Sequence, residues 1–395
     1  MPNLNGPLEG IRVLDLGRYQ AGPRAGLMFA RMGAEVIKVE ALGGDLSREN
    51  GPMVRGQSVY WAQYNSGKKS LTLNLRSEQG KDVLSDLVRV SDILIQNFRP
   101  GVMDDMGFGY LDLRALNRRI IMVNVSAYGQ HGPYRDRTGF DPIGQAISGM
   151  MSLTGLPEAP PTRSYATIID RVTALHATIG ALAALREREL SGEGQAIDVC
   201  LADTGFTLME IPISAYLGDG IVPQRLGNRG GLPPSNAYQC SDGWAYIIGV
   251  GSPMWPRVCR VLGRADWLDD PRLKTRDGRA QHAEEAEAVI VAWCRERTVQ
   301  QVVDAFSEEG VPAAPVNDVP GAARDPHIAA REVLVETPDP VAGSLHVAGK
   351  MIHFSRTEMV VGSTPTVGQH TDEVLTETLG YPPERVAELK EAGVV

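Results

Sequence analysis

Asp170 stands in TIIDRVTALHATIGALAAL, directly before a run with few polar positions, and a carboxylate there has two possible uses. As the N-cap of the following helix it would accept a bond from an early amide and do nothing else. As an ionised, partly desolvated group at the positive end of a helix it would be a nucleophile, with the amides at that helix start as natural donors to a tetrahedral oxyanion. Gln20, in GRYQAGP, follows the first apolar run, where an open α/β sheet places its ligand, and Ala21 and Gly22 leave room for close approach. Its other reading is a solvated glutamine in an ordinary turn. Residues 97–101 (NFRPG) join an aromatic ring to a guanidinium, which suits stacking on a purine and pairing a phosphate; a polar turn before a helix is the alternative. Arg76, after SLTLNL, is a second cation at a strand end. Residues 227–231 (GNRGG) would serve either as a lid over an acyl group or as a plain interdomain linker. His370, in VGQHTDEVL, has no G-x-S-x-G serine to activate and is read as a structural cap or turn residue.

The elements that would carry these groups follow from periodicity. Residues 11–16 (IRVLDL) and 35–40 (EVIKVE) read as strands on either side of a helix over 24–32, a βαβ unit. A helix over 77–90 and strands over 92–96 and 119–125 repeat the pattern, so a parallel, doubly wound sheet is expected. No G-x-G-x-x-G follows the first strand, which argues against nicotinamide chemistry. The segment 171–190 is too apolar all round for a surface helix and is expected to be buried. The Gly- and Pro-rich stretch 218–235 breaks all periodicity and marks a boundary. Beyond it a strand over 244–250, helices over 256–262, 283–296 and 299–309, and an extended piece over 312–316 make a smaller α/β unit. Short strands over 332–336 and 344–347 follow.

The bulk properties exclude several classes. A chain of 395 residues, 43% apolar, exceeds one ordinary core, so two domains are expected. The net charge of −9 and the scattered basic residues offer no footprint for nucleic acid. No uninterrupted apolar run reaches the roughly 18 residues of a membrane span, and the start MPNLNGPLEG is unlike a signal peptide. The four cysteines form no C-x-x-C and the seven histidines no ligand spacing, so no metal is expected and a reducing cytoplasm fits.

In order along the chain, PLEGIRVLDLGRYQAGP, GAEVIKVE, NFRPG with MGFGY, AYGQHGPY, FDPIGQAISGMMSLTG, the Asp170 segment ending LSGEGQAIDV, and VGQHTDEV resemble the family III CoA-transferases. That group includes formyl-CoA transferase and α-methylacyl-CoA racemase. The resemblance implies an α/β fold: a large Rossmann-like domain built from both chain ends (1–217 and 326–395), a linker over 218–235, a smaller α/β domain over 236–325, and two chains interlocked as a homodimer. It implies CoA transfer from an acyl-CoA donor to a carboxylic acid acceptor, through an aspartyl anhydride and an aspartyl-CoA thioester on Asp170. Coenzyme A is then a substrate rather than a tightly bound cofactor. By the same match Gln20 and Ala21 would face the thioester, while Leu73, Arg76, Asn97, Phe98 and Met106 would line the CoA path, with Arg99 a further candidate. One departure concerns the phosphate contacts, because Asp105 stands where formyl-CoA transferase has an arginine. Two rival readings are a racemase and a non-catalytic CoA-binding protein. The racemase needs a second base, a histidine that would fall at Phe140; His131 is the nearest substitute. The scaffold reading finds mild opposition in the retained aspartate.

A phosphate contact is felt about equally in ground and transition states. Arg76→Ala and Arg99→Ala are therefore expected to raise KM for CoA esters about tenfold while kcat holds. Steady-state kinetics test this, and a fall in kcat at unchanged KM would assign these arginines to the chemistry instead.

Overall fold

The computed structural model describes residues 6–249, 251 and 253–395, and its chain divides into two compact units. The first unit comprises the chain up to Met150, Arg163–Gly220 and His327–Val395. The strands of its main sheet are β1 (Arg12–Asp15), β2 (Glu35–Glu40), β3 (Lys69–Thr72), β4 (Ile93–Gln96), β5 (Ile121–Ser126) and β6 (Ala196–Cys200). They form one six-stranded sheet in the order β3-β2-β1-β4-β5-β6, every pairing parallel. β4 is buried throughout, as expected of a parallel strand covered on both faces. The order reverses between β1 and β4, which opens a crevice at the carboxyl ends of those two strands.

The helices of this unit before the chain leaves it at Gly220 include α1 (Ala21–Arg31), α2 (Val59–Asn65), α3 (Glu78–Arg89), α4 (Val102–Asp105), α5 (Tyr110–Leu116), α6 (Asp141–Ile147), α7 (Ile168–Ser191), α8 (Leu201–Leu208) and α9 (Glu210–Asp219). On one face of the sheet, α1 and α7 close a core around Val13, Ile95 and Val123. On the other, α3 and α5 cover Leu14, Ile37 and Leu94. The returning chain end joins them there through Val386 and Leu389.

Among the described residues α7 is the one helix long and apolar enough to cross a membrane. It packs instead as a core helix, with Ala174, Ala177, Ala181 and Ala184 turned onto the sheet. The expectation of burial all round is corrected: Leu175 and Ile179 on its opposite side are exposed.

Beneath the loop after β1 lies a buried ionic knot. Lys68 Nζ donates to Asp15 Oδ2 at 2.6 Å, to the Pro23 carbonyl at 2.8 Å and to Asn65 Oδ1 at 2.9 Å. Lys38 stands 3.9 Å from Asp15 and 3.5 Å from Asp45, and its ammonium donates to the Gly17 carbonyl. Burial pushes Lys68 down to about 8 against the pull of Asp15. Burial also pushes Asp15 upward, but the two lysines outweigh it and hold the carboxyl below its ordinary range. Space for the knot comes from α1, since a Cβ on Gly26 would lie 2.6 Å from Asp15 Oδ2.

The second unit, Met151–Thr162 with Ile221–Pro326, has its own core around Tyr238, Ile247, Trp255 and Phe306. Strands β7 (Ser235–Gln239), β8 (Trp244–Ile248) and β9 (Ala313–Pro315) form an antiparallel sheet in the order β9-β8-β7. Val250, the expected end of β8, lies outside the described residues. Residues 151–162, read from sequence as part of the large domain, group with this unit instead. The cause is local: Gly227 N donates to the Gly155 carbonyl at 3.1 Å, so the glycine-rich stretch holds that segment.

A neutral residue at position 68 would leave Asp15 buried with only the Gly17 amide at 2.9 Å and the longer Lys38 contact. Lys68→Met is expected to cost about 3–5 kcal/mol of stability, the usual penalty for stranding a buried charge. Urea denaturation measures it, and a loss below about 1 kcal/mol would show that Lys38 suffices.

Candidate active site

Asp170 is the third residue of α7, and the N-cap is Thr167. The capping role expected for Asp170 falls to Asp141 at the head of α6. Asp141 Oδ1 accepts from Ile169 N at 2.7 Å and from Asp170 N at 3.1 Å, while its Oδ2 accepts from Gln145 Nε2 at 2.5 Å. An acceptor 29 residues upstream thus satisfies the helix start, and the Asp170 carboxylate is released from capping. The expectation that these amides hold an oxyanion is overturned for the same reason. Ile168 N and Arg171 N are also engaged, by the carbonyls of Ala166 and Thr167.

Burial, then the like charge of Asp141, pushes Asp170 up to about 7, with Arg171 pulling the other way. The first turn of a helix favours an anion by about 1 kcal/mol at most when exposed, and desolvation outweighs it here. The sequence pointed to a carboxylate that stays ionised; at neutral pH this one is divided between its two forms.

Gln20 is buried at the head of α1, and its Nε2 donates to the Thr167 hydroxyl, which ties the loop after β1 to the start of α7. One of its two N–H groups remains for a ligand. Ala21, the first residue of α1, is buried beside it. The facing loop after β4 is joined to the same loop by Asn97: Arg18 N donates to Asn97 Oδ1 at 2.7 Å, and Asn97 Nδ2 donates to the Arg18 carbonyl at 2.8 Å. Arg18 also lies over the Phe98 ring, 5.1 Å from its centroid. Gln20, Asn97 and Phe98 therefore meet at the crevice.

The remaining candidates divide. Phe98 and Met106 are half-buried against the same core, whereas Leu73 is 2 % exposed and is itself a core residue. Arg76 is exposed at the carboxyl end of β3. Arg99 lines a cavity of about 620 Å³ over β4, β5 and β6, together with Gln96, Asn124, His131 and Asp198. Asp105 is exposed at the end of α4. His370 is structural: its Nδ1 accepts from Ser70 N at 3.1 Å. Among the described residues, no group of three His, Cys, Asp or Glu side chains could hold a metal ion.

Several neighbours of Asp170 went unnoticed in the sequence. Tyr19, at φ 61°, meets Phe140 edge-to-face with centroids 5.7 Å apart, and Tyr60 and Tyr64 pair at 5.0 Å on α2. Burial, then Tyr64 and Asp170, raises the Tyr60 phenol. Burial raises the Tyr64 phenol, with Arg171 and Arg24 pulling the other way. The four-residue spacing of Tyr60 and Tyr64 on one helix face was the available signal.

An open parallel sheet of this order, with a half-buried carboxylate tied through Thr167 and Gln20 to the loop at its switch point, has the arrangement of an α/β enzyme. The family model of CoA-transferase family III matches residues 8–371, and the chain belongs to that family. It is 37% identical to the succinyl-CoA–D-citramalate CoA-transferase of Chloroflexus aurantiacus, with 98% of each chain covered. It is 32% identical to the formyl-CoA:oxalate CoA-transferase of Streptomyces avermitilis, over 98% of this chain and 99% of that one. A solved structure of a CAIB/BAIF family protein from Brucella suis superposes with a TM-score of 0.84 at 30% identity, covering 94% of this chain and 99% of that one. The chain is accordingly a CoA-transferase whose substrates include CoA thioesters.

Asp141→Asn keeps an oxygen that can accept the helix-start amides and removes the charge that opposes ionisation of Asp170. The pH profile of kcat/KM should rise through an inflection near 7 in the native enzyme and at lower pH in the variant. An unmoved inflection would show that Asp141 acts on α7 through packing alone.

Proposed function

We propose that Asp170 carries CoA from an acyl-CoA to a free carboxylic acid as a covalent aspartyl intermediate. One observation carries the reading: Asp170 is half-buried, released from capping by Asp141, and raised to about 7. A carboxylate of that basicity is about half ionised at neutral pH, and its ionised form is a stronger nucleophile than a solvated one.

The steps balance without any net proton. The Asp170 carboxylate attacks the donor thioester, which forms a mixed anhydride and expels CoA thiolate. The thiolate attacks the aspartyl carbonyl, which gives an aspartyl-CoA thioester and frees the donor acid. The acceptor carboxylate then attacks that thioester, and the returning thiolate takes the acceptor acyl group and regenerates Asp170. The free N–H of Gln20 supplies the oxyanion donor that the helix-start amides no longer can. Arg18, Arg76, Asn97, Phe98 and Met106 hold the nucleotide end at the crevice, and Arg99 contributes from the edge of its cavity.

The racemase reading lacks its second base. Phe140 has no exchangeable proton and packs on Tyr19, while His131 pairs with Asp198 at 3.4 Å beside the cavity over β4 to β6. The proposed assembly is a cytoplasmic homodimer with interlocked chains, as the family resemblance implies. Support for it comes from α9, which buries none of its residues and exposes Ile211 at 78 % and Leu217 at 76 %, an apolar surface of the kind that marks an interface.

Intact-protein mass spectrometry after incubation with succinyl-CoA should show a CoA-sized adduct that hydroxylamine removes. Asp170→Ala should form no adduct and lose turnover, yet still bind CoA, because the nucleotide contacts lie on other segments. Turnover by Asp170→Ala at the native rate would overturn the covalent reading.

A further inference from the structure

The cavity of about 620 Å³ over β4, β5 and β6 has the size of a small-molecule site, and of the proposed CoA ligands only Arg99 lines it. The loop after β4 divides it from the crevice: Asn97 bonds to Arg18 and Phe98 packs on the core, while Arg99, Gly101 and Met103 line the cavity. Its floor carries a row of three polar side chains, Gln96, Asn124 and Asp198. They are register partners on adjacent parallel strands and share one face of the sheet. Two residues earlier on that face, Leu94 and Met122 belong to the core, so the row begins where the apolar packing ends.

The hydrogen bonds fix which way two of these amides face. Phe98 N can only donate, and it meets the Gln96 side chain at 2.7 Å, so the atom it meets is Oε1. Gln96 Nε2 is then the donor to Asn124 at 2.6 Å, and Asn124 presents its Oδ1. Asn124 Nδ2 is left without a partner among the described residues, although Asn124 is only 7 % exposed. Asp198 Oδ2 accepts from Gln130 N at 2.8 Å and stands 3.4 Å from His131 Nδ1, which leaves Oδ1 unpaired among the described residues. Gln130 Nε2 is buried and unpaired as well. Buried polar groups are rarely left unsatisfied, and a set of them around one cavity is complementary to a ligand.

An amide N–H on β5 beside a carboxylate on β6 matches a ring edge that presents a carbonyl next to N–H donors. Guanine carries that edge, with O6 beside the N1–H and the exocyclic amine, whereas adenine offers the carboxylate an amino group alone. Met103 and Met122 give the cavity adaptable apolar surface for a flat ring. Arg99 and Arg135 bring two cations suited to a phosphate; among the described residues Arg99 forms no ion pair, and Arg135 pairs only with its neighbour Asp136 at 3.4 Å.

We propose that this cavity is a second ligand site, for a guanine nucleotide, with the base against Asn124 and Asp198 and the phosphate against Arg99 and Arg135. Arg99 also stands at the edge of the proposed CoA path, so the two ligands share one cation. Each then weakens the other by the same bounded factor.

Titration calorimetry of the native enzyme with GMP, IMP and AMP tests the site. GMP should bind about tenfold more tightly than IMP, which lacks only the exocyclic amine, and than AMP. Asp198→Asn keeps an oxygen for the Gln130 amide and puts a donor where the second acceptor stood. It should lose about tenfold in GMP affinity and gain affinity for XMP, which has a carbonyl in place of the amine; misfolding would not produce such a gain. Arg135→Gln should weaken GMP about tenfold and leave guanosine unchanged. Free CoA should raise the apparent Kd for GMP to a plateau, whereas a rise without limit would place GMP in the CoA crevice and overturn the second site. Equal binding of GMP, IMP and AMP, an Asp198→Asn variant that gains nothing for XMP, or failure of all the nucleotides to bind would overturn it as well.

Discussion

The whole site turns on one carboxylate that does no chemistry. Asp141 takes the first free amides of α7, and a helix start buried without such an acceptor would strand them. Had Asp170 filled that role itself, its oxygens would point back into its own helix, stabilised as an anion and of little use as a nucleophile. Moving the cap to α6 leaves Asp170 in the first turn, directed by the helix yet unbonded to it. The same carboxylate also withholds the helix-start amides from any oxyanion, a duty that the proposed mechanism gives to the Gln20 side chain.

This arrangement trades stability for reactivity. A carboxyl whose pKa rises from 3.8 in the unfolded chain to about 7 in the fold favours the native state fully at low pH. That advantage is lost as the pH climbs through the folded value, where ionisation must occur against burial and Asp141. Compensation comes from parts of the fold that titrate elsewhere, above all the two apolar cores on either face of the sheet.

The strands and most helices were legible because a buried parallel sheet needs short β-branched runs at regular intervals, and EVIKVE matches β2 residue for residue. The reaction centre was legible only in part. An aspartate before an apolar run is a common cap, and nothing local says that the cap is supplied from position 141, 29 residues upstream, once the chain has folded. Leu73 is a ligand contact only by the family resemblance, and its side chain packs in the core. Tyr60 and Tyr64 come to Asp170 from another helix, a juxtaposition that no single window of sequence contains. Lys38 did leave a trace: a lysine between Ile37 and Val39 in a strand buried on both sides requires an internal partner.

That lysine leads back to the loop on which the site depends. Lys38 holds the Gly17 carbonyl from below, Asn97 holds both backbone groups of Arg18 from the side, and Gln20 fastens the loop's end to Thr167. Between these anchors Tyr19 is held at a positive φ, a conformation a tyrosine keeps only when its surroundings impose it, and its ring is turned toward Phe140. An apolar core under the loop would have packed as well, but it would have offered the Gly17 carbonyl no donor and left the turn free to relax. The ionic knot is better understood as a device for fixing this loop than as a source of net stability, since buried ion pairs seldom exceed a well-packed apolar substitute. On the proposed reading it sets, through Gln20, where a thioester carbonyl can lie relative to Asp170, and through α1, which begins at the loop's end, it fixes where the first turn of that helix stands.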